Sequence, residues 1–189
     1  MGLAALPWSK KADSIRMRSQ YVRRVGIAGA SWPDLSDDYL LSSLSNWLGA
    51  HLDGITRRSE LHRLDMTAIV RSILGPPRLK ELERLAPETI ALKSGSRTAV
   101  DYGAGETPVI SVKLQEMFGQ KEGPSLAGVP LLVRLLSPAG RPLAVTSDLN
   151  SFWQNAYREV RKEMRGRYPK HIWPENPMDA SPTKRTTKK

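Results

Sequence analysis

Apolar positions recur along this chain with two different periods. Steps of three and four residues dominate before position 86 and again after position 148, and short β-prone runs fill the interval between. Ser9 is placed to cap a first helix in which Ala12, Ile15, Ser19 and Val22 repeat at helical spacing as far as Gly26, with Arg16, Arg18, Arg23 and Arg24 decorating it. Ser36 caps a second helix. Asp37 and Asp38 favour its first turn, Leu40, Leu41, Leu44, Trp47 and Leu48 form one apolar face, and Gly49 is a natural C-cap. A short helical stretch surrounds Leu61 and Leu64. Asp65 caps the next helix, with Met66, Ile69, Val70, Ile73 and Leu74 inward until Gly75-Pro76-Pro77 stops it. Leu79, Leu82 and Leu85 mark one more helix, ended before Pro87.

Residues 89–92, 97–102, 109–114, 129–136 and 142–146 read as strands, with Ser94-Gly95-Ser96 and Gly103-Ala104-Gly105 as turns. Five short strands in succession predict a small antiparallel barrel, OB-like, or a strongly curved sheet. Ser147 or Asp148 then caps a closing helix in which Leu149, Phe152, Trp153, Ala156, Tyr157, Val160 and Met164 repeat on one face, ending at Gly166. Trp153, at the centre of that face, is expected in the core where helix meets sheet. The expected class is α+β: a helical half over 1–86, in which 31–86 forms a small unit, then a barrel-like domain over 87–177 closed by an amphipathic helix. The stretch 178–189, rich in Lys, Thr, Ser and Pro, is expected to be a disordered basic tail.

Composition narrows the function classes. The chain has 189 residues, 40% of them hydrophobic and 25% charged, enough to bury a core and too few apolar runs to span a bilayer. It has no cysteine and three histidines, which sets aside disulfides, a thiol nucleophile and a zinc site, and no signal-peptide pattern opens it. A cytoplasmic protein without metal or membrane partner is the expectation. The net charge of +10 is unevenly spread. Residues 1–30 carry six basic and one acidic residue and 151–189 carry ten and four, whereas 31–150 carry 13 and 14. Two basic ends on a near-neutral centre suggest a patch for a polyanion, or a basic tail that serves solubility.

Candidate chemistry concentrates near the C-terminus. Arg158, Arg161, Lys162 and Arg165 stand at i, i+3, i+4 and i+7, on one helix face largely opposite the aromatic one. Their mutual repulsion is offset only in part by Glu159 and Glu163, and a phosphate backbone would relieve it; an ordinary solvated face is the alternative. The helix runs into Arg167-Tyr168-Pro169-Lys170-His171-Ile172-Trp173-Pro174, where two prolines enforce extended backbone and rings alternate with cations. Such a segment either stacks bases and holds phosphates, or straps the C-terminus down by burying Tyr168, Ile172 and Trp173. The candidate nucleic-acid contacts are therefore Arg158, Arg161, Lys162, Arg165, Arg167, Lys170 and His171. Gly103-Ala104-Gly105 is no dinucleotide fingerprint, since Pro108 stands where a third glycine belongs, and no Gly-Lys-Ser/Thr phosphate loop exists. No catalytic or cofactor-binding residue is indicated.

Specific blocks carry a family resemblance. They are Leu3-Ala4-Ala5-Leu6-Pro7-Trp8-Ser9, Trp32-Pro33-Asp34-Leu35-Ser36, Val112-Lys113-Leu114-Gln115-Glu116-Met117-Phe118-Gly119, Leu135-Leu136-Ser137-Pro138-Ala139-Gly140-Arg141-Pro142, and above all Arg165-Gly166-Arg167-Tyr168-Pro169-Lys170-His171-Ile172-Trp173-Pro174. With them the chain resembles the C-terminal region of the HrpB-type bacterial DEAH-box ATP-dependent helicases. The resemblance implies a longer parent that couples ATP hydrolysis to remodelling of nucleic acid, with ATP and Mg bound in two upstream RecA-like domains. No position here matches those ATPase motifs, so the chain alone is expected to be no enzyme and to hold no cofactor. It implies that 1–30 ends the helicase's helical bundle and that the barrel-like part lines a nucleic-acid channel, by analogy with related enzymes. The expected role is an accessory domain contacting single-stranded RNA or DNA; a scaffolding domain docking on the helicase core or a partner is the alternative.

Overall fold

The computed structural model describes residues 2–185, which fall into two units, Met1–Pro87 and Glu88–Lys189. The first is helical. α1 (Lys10–Val25) starts where the Ser9 hydroxyl accepts the Ala12 N–H at 3.0 Å and stops at Gly26, whose φ of 68° is the left-handed conformation that glycine tolerates. Its buried side carries Ala12, Ile15, Ser19 and Val22 as the spacing predicts, and Tyr21 and Arg18 as well. Arg18 does not decorate the surface. It is buried, paired with Glu83 at 2.8 Å and donating to the Ala86 carbonyl. Arg16 donates to the Leu35 carbonyl at 2.7 Å, and Arg23 to that of Trp32 at 2.6 Å. Much of the N-terminal basic cluster is thus consumed inside the unit, because a helix packed on several sides turns its long cations back onto neighbouring carbonyls.

The second apolar face is divided. α2 (Asp37–Ser42), capped by Ser36, is separated from α3 (Leu44–Trp47) by Ser43, whose φ of −116° and ψ of 24° are not helical. Leu40, Trp47 and Leu48 are buried, while Leu41 and Leu44 face solvent. α4 (Met66–Leu85) is capped by Asp65, which accepts from the Thr67 and Ala68 N–H groups. At Gly75 (φ 71°, ψ 163°) it breaks into two helical segments, and Pro76 and Pro77 open the second, where no N–H is required. α1 packs on α4.

The second unit contains the sheet. Its strands are β1 (Thr89–Ala91), β2 (Arg97–Asp101), β3 (Val109–Lys113), β4 (Ser125–Leu126), β5 (Val129–Pro130), β6 (Leu132–Leu136) and β7 (Pro142–Thr146). Five of them form one sheet in the order β1-β2-β3-β6-β7; β4 and β5 form a separate hairpin. Two expectations are corrected. The sheet is not closed into a barrel, since β1 and β7 are its two edges and do not pair. Nor is it wholly antiparallel: β3 and β6 run parallel, from Val109 opposite Leu132 to Lys113 opposite Leu136. Residues 114–131 supply the long connection that a parallel return needs. The single strand read over 129–136 is two, because Ala127 (φ 47°) and Gly128 (φ 83°) turn Val129–Pro130 back onto Ser125–Leu126.

Val100, Ile110, Val112, Val133 and Leu135 point into the core at alternate strand positions. The closing helix is also two, α5 (Leu149–Asn155) and α6 (Tyr157–Arg167), divided at Ala156; α6 continues through Gly166. Beyond it, the Pro177 carbonyl accepts the Gly119 N–H at 2.9 Å, and the Gln115 carbonyl accepts that of Thr183 at 3.0 Å. The basic tail expected from 178 is therefore described as far as Arg185, without helix or strand, and 186–189 lie outside the described residues. No helix among the described residues is long and apolar enough to cross a membrane.

Candidate nucleic-acid interface

The aromatic side of α5 and α6 holds the basic side in place. Asp148 caps α5 by accepting the Ser151 N–H at 2.9 Å. Leu149, Phe152, Trp153, Tyr157 and Met164 are buried. Trp153 is 6% exposed, and its indole N–H donates to the Gln120 carbonyl at 2.8 Å. Its ring lies 5.0 Å from Phe152, 5.4 Å from Tyr157 and 6.1 Å from Phe118, in edge or tilted geometries that suit aromatic quadrupoles. Trp153 is in the core as expected, but Phe118 and Gln120, which it meets, belong to the segment after β3.

The segment after α6 is pinned back against it. The Tyr157 hydroxyl donates to the Pro174 carbonyl at 2.8 Å, and burial pushes its phenol up to about 12, against the opposing pull of the Arg161 charge. Arg161 Nε donates to the Trp173 carbonyl at 2.9 Å, and its guanidinium pairs with Glu175 at 3.4 Å. The Trp173 indole donates to the Tyr168 carbonyl at 2.9 Å. The Gln115 amide meets His171 Nδ1 at 2.9 Å. Burial, and then the nearby Lys113 charge, hold His171 below the ordinary imidazole value, which favours the neutral ring. Of the three apolar residues of this strap, Trp173 is buried, Tyr168 is half-buried, and Ile172 is exposed.

The seven candidate cations therefore divide. Arg161 lies one turn after buried Tyr157, on the side where the strap passes, and is a staple. Arg167 pairs with Glu163 at 3.3 Å, and His171 is held by Gln115. Arg158, Lys162 and Arg165 share the solvent face of α6 over about 10 Å of helix, and Lys170 follows on the strap. These four are exposed and have no hydrogen-bond or ion-pair partner among the described residues. Spacing alone did not separate Arg161 from its neighbours, because the strap that claims it is placed by tertiary structure. Gln115 and Glu175, which anchor the strap, carried no periodic signal.

Other motifs are structural. Gly95 (φ 81°) turns the β1–β2 hairpin, whose Ser94 and Ser96 hydroxyls donate to the buried Glu116 carboxylate. Among the described residues, no three His, Cys, Asp or Glu come together as a metal site.

Comparison with known proteins adds the context. The family model for the ATP-dependent helicase C-terminal region, HrpB_C, matches residues 47–177. The chain is 40% identical over 189 residues to the ATP-dependent RNA helicase HrpB of Escherichia coli (strain K12), covering 99% of this chain and 23% of that protein. A crystal structure of the E. coli DExH-box NTPase HrpB superposes with a TM-score of 0.83 at 40% identity, over 98% of this chain and 23% of that one. A second, of the E. coli DEAH/RHA helicase HrpB, gives a TM-score of 0.69 at 38% identity, over 91% and 22%. The chain thus spans less than a quarter of the relatives it matches.

Proposed function

The chain belongs to the HrpB_C family of ATP-dependent helicase C-terminal regions, and from that premise we propose that it is a non-catalytic accessory domain that holds single-stranded nucleic acid by its phosphates. The parent helicase supplies ATP and Mg from its upstream RecA-like domains; this chain supplies affinity. The observation that carries the reading is the row Arg158, Lys162 and Arg165, three cations on one helix face with no partner among the described residues. Like charges at helical spacing repel, and the arrangement is stable here because the opposite face is locked by Trp153 and Tyr157. A phosphate backbone passing along the face would relieve that repulsion and release counterions. No recognition helix or base-reading motif accompanies the row, so binding is sequence-independent. The E. coli relative named an RNA helicase supports RNA as the strand.

Titration of a fluorescent oligonucleotide at several salt concentrations tests this. Four contacts from Arg158, Lys162, Arg165 and Lys170 contribute roughly 3 to the magnitude of the log–log slope for a single strand. Changing those four to glutamine flattens the slope and weakens all sequences alike, with the fold intact. Arg161 is left out because its loss would free the strap. If the quadruple variant binds like the parent, the row is a solvated or protein-docking face.

A second reading, a docking domain for the helicase core or another protein, has one observation in its favour. In the helical unit Tyr39, Leu41 and Leu44 are 50%, 38% and 37% exposed, and a cavity of about 310 Å³ lined by Tyr39, Trp47 and Ile73 lies at α2 and α3.

A further inference from the structure

The outer face of the sheet carries cations that the helix row does not explain. On β3, Val112 is buried, and Ser111 and Lys113 are exposed on the opposite face. On β6, Arg134 stands between buried Val133 and Leu135 and shares that outer face. The register sets Arg134 directly beside Ser111 on one side and Val145 on the other, with Lys113 two residues further along β3. Val145 is 56% exposed, so the face is open at its β7 edge. Arg134 is half-buried, yet neither it nor Lys113 has a hydrogen-bond or ion-pair partner among the described residues. An unpaired guanidinium partly withdrawn from water on a central strand is costly, and an anion laid across the strands would offset that cost. Among the described residues of these strands, the other cation on this face, Arg97, is occupied by Thr89, and the one exposed carboxylate, Asp101, accepts the Gly103 N–H of the β2–β3 loop at 2.9 Å. Half-buried Leu132 and Leu136 give the face an apolar floor around its charges. At the far end Lys113 lies near His171, so the face continues into the strap that carries Lys170.

We propose that this sheet face, centred on Arg134 and Lys113, is a second phosphate-binding surface for the same nucleic-acid strand, joined to the α6 row through the strap. The ligand class rests on the function proposed above; the location does not. Ser111 adds a hydroxyl donor beside Arg134, and the leucines accept sugar and base edges without reading sequence. The site holds the backbone and orients it towards Lys170.

The test is the salt dependence of binding of the 189-residue chain to a labelled oligouridylate. The double variant Lys113→Gln/Arg134→Gln is expected to lower the magnitude of the log–log slope by about 1.4, two single-strand contacts, with an unchanged melting temperature. The charge-preserving pair Lys113→Arg/Arg134→Lys is expected to keep the parent slope. Should the double variant unfold, Lys113→Gln alone, at an exposed position, is expected to lower the slope by about 0.7. A folded variant with the parent slope, while the α6 quadruple variant loses its own, overturns the sheet-face site and leaves the helix row standing. A parent with no salt-sensitive binding overturns both. Competition by polyaspartate as strong as by unlabelled oligouridylate also overturns the assignment, in favour of an acidic protein partner.

Discussion

Two apolar stripes in this chain are written in the same period and end differently. The stripe of α5 and α6 buries Leu149, Phe152, Trp153, Tyr157 and Met164, with Trp153 and Tyr157 meeting Phe118 ring to ring; only Ala156, at the break between the helices, is exposed, and Val160 is half-buried. The stripe of α2 and α3 loses Leu41 and Leu44 to solvent, although Leu40, Trp47 and Leu48 are buried. Helical period says which residues share a face; whether that face is covered depends on what the rest of the chain brings to it. The segment 114–120, forced to travel far by the parallel β3–β6 pair, delivers Phe118 and Gln120 to the first stripe. The break at Ser43 interrupts the phase of the second, leaving Leu41 and Leu44 uncovered.

The comparison can be broken by substitution. The largest effect is expected from Trp153→Ala, which removes the hub of the aromatic cluster and its hydrogen bond to Gln120; it should cost roughly 3–5 kcal/mol in a thermal or urea melt. An unchanged melting temperature would mean that the cluster does not hold the unit together. Gly119→Ala comes next. Gly119 has a φ of 68°, and a Cβ there would stand 2.8 Å from the Ala180 carbonyl oxygen, so about 1–3 kcal/mol is expected, with loss of amide protection at Thr183.

Tyr157→Phe keeps the ring and deletes the hydroxyl's bond to Pro174, for about 1 kcal/mol. The same group predicts a pH effect with a definite sign. Its phenol is held neutral to about 12 in the folded chain and ionises near 10 when unfolded, so this contribution is full below pH 10 and is lost as pH rises towards 12. Ultraviolet titration of the parent against Tyr157→Phe should show one late-ionising tyrosinate disappear. His171 acts at the other end. Its depressed value makes its contribution full above about pH 6.5 and lost as the pH falls through its folded value, so the indole fluorescence of Trp173 should change on acidification in the parent and less so in His171→Gln. The smallest effect is expected from Leu41→Ser and Leu44→Ser, within about 0.5 kcal/mol each, which distinguishes the uncovered stripe from the covered one. A cost of several kcal/mol there would show that the two stripes are alike after all.

Local rules were legible in the sequence. The Ser9, Ser36 and Asp65 caps, a cap at Ser147 or Asp148 that the structure gives to Asp148, the Gly26 stop and the Gly75-Pro76-Pro77 break follow from backbone donors that need acceptors and from φ values that only certain residues adopt. So did the two faces of the last helix, because charge and apolar surface separate at the helical period. Family membership was legible too, in the long block from Arg165 to Pro174. Three things were decided only by the tertiary structure. The sheet is open and holds a parallel pair, since strand order depends on how far a connection travels, which period-two alternation does not encode. Arg18 is buried on Glu83, a partner 65 positions away, where composition placed it with the surface cations. Of the seven cations read as one patch, Arg161, Arg167 and His171 are tied to Trp173 and Glu175, to Glu163 and to Gln115. Charge is a property of the residue, but its availability to a ligand depends on which carbonyls and carboxylates the folded chain brings within reach.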